Sequence, residues 1–261
     1  MRSKSMKVFA MKVFAIQVCA LLLFVILTPP TSAYAPSSGA SSWSKRVGID
    51  AEKMHKLTTL SELIVDWNTK VNIISRNPPP TPSHVMERHI APSVALLSMM
   101  PRNVKSVVDV GTGGGFPGLP LALCMTETDF VLCDSVGKKL KVVNDMATQL
   151  ETSNVQVHHG RAEEMKSGHF DVVVGRSVAD LPRFCSWVEH LMHEDSALLY
   201  IKGGRIEDDM PLEVIEPLED EEINDLLGAD FSDKRVLKYN RGAVRLLAKQ
   251  APAIIQKKNK K

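Results

Sequence analysis

The stretch Ser106-Val107-Val108-Asp109-Val110-Gly111-Thr112-Gly113-Gly114-Gly115-Phe116-Pro117-Gly118 decides the fold. It opens with an apolar, β-branched run, which predicts a buried strand. Asp109 stands in that run, and glycine fills positions 111, 113, 114 and 115. Glycine takes positive φ without strain and lets a ligand come close to the backbone. Pro117 suits the first turn of a helix, where its missing N–H is not needed. Strand, tight turn and helix N-terminus together predict a nucleotide-binding crossover at the head of a parallel sheet.

Two cofactor frames fit such a turn. The dinucleotide pattern G-x-G-x-x-G occurs at Gly113, Gly115 and Gly118 and points to a nicotinamide-dependent oxidoreductase. Counted from the strand, the frame is Asp109-x-Gly111-x-Gly113-x-Gly115. That acid-first form resembles motif I of class I S-adenosylmethionine methyltransferases.

Working outward, the 261 residues suffice for one α/β domain with a modest extension. The front of the chain reads as targeting sequence. Lys4, Lys7 and Lys12 precede an apolar run from Val13 to Leu27, and Thr31-Ser32-Ala33 supplies small residues for cleavage. Residues 1–33 are therefore expected to be a signal peptide rather than a membrane anchor, since a span needs about 20 apolar residues. Residues 34–49 hold no acid and five serines up to Gly48, a transit-peptide composition. The junction Ser32-Ala33-Tyr34-Ala35-Pro36 resembles the cleavage motif of bipartite presequences for complex plastids, which implies a plastid stromal protein. Cysteine use agrees with a reduced compartment. Cys124, Cys133 and Cys185 are what cleavage would leave, with no framework spacing.

The net charge of +2 hides a strong segregation. Glu207 to Asp233 holds 12 acids and no base, and the rest of the chain past residue 33 carries 28 bases against 18 acids. A basic body with one acidic flap fits a polyanionic ligand.

Met54, Leu57, Leu60, Ile64, Trp67 and Val71 recur at helical spacing, which predicts one helix over 49–75 with Asp50 as its N-cap. Asn77-Pro78-Pro79-Pro80 stops it, and a second helical stretch covers 83–100. Residues 50–104 thus form a helical cap. A methyltransferase-type domain over 105–250 follows, and then a basic tail, 251–261. Strands are expected at 106–111, 129–134, 155–160, 170–176 and 197–202, separated by helices, which gives a mostly parallel sheet covered on both faces. Runs at 234–239 and 243–249, joined by Asn240-Arg241-Gly242, predict a terminal antiparallel hairpin.

Ligands of such sheets bind beyond the strands' carboxyl ends. Those ends present the glycine turn with Gly111 and Gly113, then Asp134 at the distance that suits a ribose diol, then Gly160-Arg161-Ala162-Glu163, then Arg176, then Lys202. His158-His159 lack further ligand spacing, so no metal is expected.

These pieces together resemble the ribosomal RNA small-subunit methyltransferase G family. The resemblance rests on Trp67-Asn68, Asn72-Ile73-Ile74-Ser75, Arg88-His89-Ile90, the 109–118 loop, Asp134 to Lys139, Gly160 to Glu164, Arg176-Ser177-Val178-Ala179 and Lys202-Gly203. It implies a class I, Rossmann-like fold and methyl transfer from S-adenosylmethionine to N-7 of a guanine in small-subunit ribosomal RNA or a 30S-type particle. It also implies that Gly111, Phe116, Ala162, Glu163 and Arg176 contact the cofactor. Arg88, His89, Lys202, Arg205, Lys238, Arg241 and Arg245 are candidate RNA contacts. Guanine N-7 already presents a lone pair, so no catalytic base is expected, and none is assigned. A monomer without a membrane anchor is expected after presequence removal. A non-catalytic RNA-binding assembly factor on the same fold is the remaining alternative.

Overall fold

The apolar runs become five parallel strands: β1 (Ser106–Val110), β2 (Asp129–Asp134), β3 (Val155–His159), β4 (Phe170–Arg176) and β5 (Met192–Gly203). The computed structural model describes residues 40–166, 169–203, 216–228 and 234–253. β6 (Glu219–Glu222) and β7 (Lys234–Asn240) complete a seven-stranded sheet of order β3-β2-β1-β4-β5-β7-β6. β7 runs antiparallel to both neighbours.

The chain enters through α1 (Ala40–Arg46) and α2 (Ala51–Lys70). A continuous helical run then joins α3 (Pro82–Val85), a π-turn (Met86–Ile90), α4 (Ala91–Val94) and a 3-10 turn (Ala95–Met99). α5 (Gly118–Cys124), α6 (Gly137–Gln149) and α7 (Leu181–Val188) follow β1, β2 and β4. α8 (Ile223–Leu227) and α9 (Arg241–Ala248) flank β7 in sequence.

The two-residue period of the strands sorts the core into two layers. Val107, Phe130, Val172, Val174, Leu199 and Ile201 pack with α2, the cap, α5 and α6. Val108, Val110, Val173, Leu198 and Tyr200 pack with α7 and α9. The cap therefore shares its core with the sheet instead of forming a domain of its own.

Several expectations are corrected. The segment 43–49, expected in the transit-like stretch, packs with the fold: Trp43 is 1% exposed and Ile49 7%, both in the main core. The serine-rich composition concealed one amphipathic turn. Asp50 does cap α2, accepting from Lys53 N at 2.8 Å, but the helix ends at Lys70, not at 75. Asn68 is the cause. Its buried Oδ1 accepts from Ile73 N and Ile74 N, which turns the chain back before Ser75. β5 begins five residues early, at Met192.

The terminal hairpin at 234–249 is replaced by strand and helix. Asn240 is an N-cap, accepting from Ala243 N at 2.9 Å, and Val244 and Leu247 bury one helical face. The antiparallel pairs are β5–β7 and β6–β7. The described part of the acidic flap contributes β6, an edge strand of four acids, and the short helix α8. Charge on such an edge discourages pairing with another chain. The basic tail from 254 and residues 1–39 lie outside the described residues.

If 43–49 is core, Trp43→Ala should cost about 3–5 kcal/mol of unfolding free energy, as large-to-small core changes do. Urea denaturation of the full chain measures this. A loss below about 0.5 kcal/mol, typical of surface positions, would return the segment to the presequence.

Candidate functional site

Asp109 sets the glycine turn. It is fully buried on β1, and its Oδ2 accepts from Thr112 Oγ1 at 2.6 Å and from Gly118 N at 2.8 Å. One carboxylate oxygen thus holds both ends of the loop. Gly111, Gly113 and Gly115 take φ of +75°, +58° and +94°, which an L side chain rarely adopts. Gly111 N and Thr112 N donate to Cys133 O, fastening the loop to the end of β2. A Cβ on Gly118 would lie 2.2 Å from Leu132 and 2.7 Å from Asp109 Oδ2, so Gly118 is a packing glycine. Pro117 stands at the cap position just before α5 rather than in its first turn.

A cavity of about 240 Å³ opens beside this loop. The structure brings Gly111, Gly113, Asp134, Ala162 and Glu163 together in its lining, as expected from the strand ends. Asp134 has two further tasks. Its Oδ2 accepts from Gly113 N and its Oδ1 from Val136 N, both at 2.8 Å. A carboxylate has about four lone-pair sites, so acceptors remain for a hydroxyl pair. Val110, Val178 and Trp187 add apolar wall, and Lys139 and Arg161 add charge. Trp187, on α7, carried no signal in the sequence, because only the packing of α7 brings it here. A Cβ on Gly113 would have no neighbour closer than 3.9 Å, so the loop leaves open backbone to a ligand. Bare loop, free carboxylate acceptors and apolar wall fit a nucleoside cofactor such as S-adenosylmethionine.

Phe116 and Arg176 stand outside that lining, in a second group. The Arg176 guanidinium lies over the Phe116 ring, 4.9 Å from its centroid, and the His89 ring lies 5.1 Å from the same centroid. Arg176 Nη2 donates to His89 Nδ1 at 3.1 Å. Burial, then Arg176, Lys234, His84 and Arg88, push the His89 imidazole down to about 3. His89 is thus neutral and brings no charge to an RNA phosphate, though a neutral imidazole keeps one N–H donor. Burial lowers Arg176 to about 10 against the opposing pull of Asp109.

The other basic candidates do not gather around the cavity. Arg88 is exposed on the π-turn beside His89. Lys202 is buried, its Nζ on Gly203 O at 3.2 Å. Lys238 pairs with Glu219 and Arg235 with Asp220, so part of the acidic flap neutralises its own neighbour strand. Arg241 and Arg245 pair with Glu189 and Glu194. They sit away from the strands' carboxyl ends: β7 runs backwards, and past its end at Asn240 the two arginines meet Glu189, before β5, and Glu194, in its first residues. Arg205 lies outside the described residues. No group of three metal-ligating side chains occurs among the described residues.

A parallel sheet reversed only at β7, with an acid-pinned glycine loop after its first strand, defines a class I methyltransferase fold. Within that class the family model described as rRNA small subunit methyltransferase G matches residues 53–222, and the chain belongs to this family. Curated relatives agree. The ribosomal RNA small subunit methyltransferase G of Christiangramia forsetii is 39% identical over 166 residues, covering 61% of this chain and 77% of its own. That of Cytophaga hutchinsonii is 32% identical over 194 residues, covering 72% and 91%. That of Flavobacterium psychrophilum is 39% identical over 158 residues, covering 58% and 74%.

Asp109 also gives the site a pH signature. Burial raises its carboxyl from 3.8 to about 6, against the hydrogen bonds from Thr112 and Gly118. Between those values the folded chain binds more protons than the unfolded one, so stability is full at low pH and falls as pH rises through about 6. Asp109→Asn removes this titration. The fall in unfolding free energy from about pH 4 to 7 should be smaller in that variant by about 2 kcal/mol. Parallel pH profiles in urea denaturation would contradict the burial assigned to this carboxylate.

Proposed function

We propose that this chain methylates N-7 of a guanine in small-subunit ribosomal RNA, using S-adenosylmethionine, within a plastid. The observation that carries the reading is the glycine-loop cavity of a rRNA small subunit methyltransferase G family member, built on a loop that Asp109 pins. The names of the curated relatives support the ribosomal RNA substrate.

S-adenosylmethionine supplies a methyl group activated by a neighbouring sulfonium. Gly113, with Gly111 beside it, would give a close-approach backbone for it, Asp134 would offer acceptors to its ribose, and Ala162 and Val178 would line its site. Its methyl would be open to the guanine N-7 lone pair, with the C–S bonding electrons left on sulfur. No proton has to leave before attack, so positioning and desolvation supply much of the rate. His89 has its Nδ1 lone pair committed to Arg176, Asp109 is sealed beneath the loop, and burial pushes the Cys133 thiol up to about 12. None of these is placed to act as a base or nucleophile.

The edge of a paired guanine in A-form RNA is closed to side chains, so the target base is unpaired or turned out. For location, the support is the apolar run Val13 to Leu27 and the Ser32-Ala33-Tyr34-Ala35-Pro36 junction. The helix that begins at Ala40 supports a presequence that ends before it.

Mapping 7-methylguanosine in organellar small-subunit rRNA, with and without this protein, tests both parts. One such modification should vanish from plastid rRNA. Its loss from mitochondrial rRNA instead would refute the location, and unchanged modification in all of them would refute the activity.

A further inference from the structure

His89 has one nitrogen spoken for and one open. Guanidinium groups only donate, so the contact with Arg176 Nη2 leaves the lone pair on Nδ1 and the hydrogen on Nε2. Nε2 has no partner among the described residues, and it is not among the buried polar atoms left unpaired. The ring cannot swing freely. It lies against Phe116 at an interplanar angle of 34°, and its backbone sits in the π-turn of the cap, a feature frequent at functional sites. Phe116 follows the glycine loop directly. Arg176 ends β4, two residues before Val178, which lines the cofactor cavity. Cap, loop and strand end thus hold one oriented N–H donor against residues next in the chain to the glycine loop and close to Val178 of the cavity wall.

The chemistry of the target base gives this donor a use. Guanine presents two acceptors on its major-groove edge, N-7 and O-6, whereas adenine presents N-7 and an N-6 amino donor. When N-7 is the nucleophile, O-6 is the acceptor left to read. A fixed N–H meets guanine O-6 with a hydrogen bond and meets adenine with donor against donor. Methylation leaves the purine ring positive, and a neutral donor adds no full charge against it. The imidazole stays neutral because burial and the surrounding Arg176, Lys234, His84 and Arg88 all oppose its protonation.

We propose that His89 Nε2–H donates to O-6 of the target guanine, which makes His89 the specificity-determining residue for guanine over adenine. The assignment rests on the guanine N-7 reading above and replaces a phosphate contact with a base contact.

The test uses the full chain and small-subunit rRNA carrying either guanine or 2-aminopurine at the methylated position. 2-Aminopurine keeps N-7 and lacks O-6. Single-turnover kcat/KM is measured for the native chain, His89→Phe and His89→Gln, with S-adenosylmethionine affinity by calorimetry as the check on folding. The intrinsic difference between the two bases is common to all three proteins and cancels in the cycle. Discrimination for guanine should be at least about tenfold greater in the native chain than in His89→Phe. His89→Gln, which keeps a neutral donor, should recover most of it. Cofactor affinity should be unchanged in both variants. Equal discrimination by the native chain and His89→Phe, with cofactor bound, overturns the assignment. Failure of the native chain to methylate guanine at all is read without any variant, and it refutes the underlying function and this inference together.

Discussion

The structure depends on a carboxylate kept where water cannot reach it. Asp109 receives two hydrogen bonds through Oδ2, while its Oδ1 is buried without a partner among the described residues. Charge-assisted hydrogen bonds contribute about 1.5–3 kcal/mol each, yet desolvation still raises the carboxyl to about 6. The site therefore gives up stability to hold a loop shape. Everything around the cavity follows from that shape. The loop, fastened at both ends, presents Gly113 N to Asp134 and passes Gly114 within close contact of the cap, where a Cβ would meet the Ile73 carbonyl at 3.0 Å. Asn68 holds Ile73 and Ile74 from the other side. Sheet, loop and cap are one mechanical unit.

The parts of this unit that lie close together along the chain are legible in the residues themselves. β-Branched runs place the parallel strands, and the spacing of Asp109, Gly111 and Gly113 places the loop. Asp134, Ala162 and Glu163 follow from the rule that ligands sit at strand carboxyl ends. What failed did so for identifiable reasons. Asn240-Arg241-Gly242 is a turn signal and an N-cap signal at once. The buried step from Val244 to Leu247, with Leu246 exposed, decides for the helix. Arg241 and Arg245 look like carboxyl-edge cations until the reversed β7 carries them to the opposite edge. The contact between His89 and Arg176 spans 87 residues and leaves no local trace.

The electrostatics of the site are quieter than the segregated charge of the chain implies. Glu219 and Asp220 on β6 meet Lys238 and Arg235 on β7. Glu189 and Glu194 hold Arg241 and Arg245. The cavity's own charges are of both signs, Asp134 and Glu163 against Lys139 and Arg161, and the neighbouring group adds Arg176, stacked on Phe116 and opposed by Asp109, and a neutral His89. A nucleophile that needs no deprotonation and a product that carries positive charge both suit such a site.

The most direct measurement of the central claim is calorimetric titration of S-adenosylmethionine, with NAD as the control, into the full chain and into Asp134→Ala. The account predicts binding of S-adenosylmethionine and not of NAD. It predicts a loss of about tenfold or more in the variant, the size of one charge-assisted hydrogen bond, with circular dichroism unchanged. No heat with S-adenosylmethionine, or equal affinity in a folded Asp134→Ala protein, would contradict it.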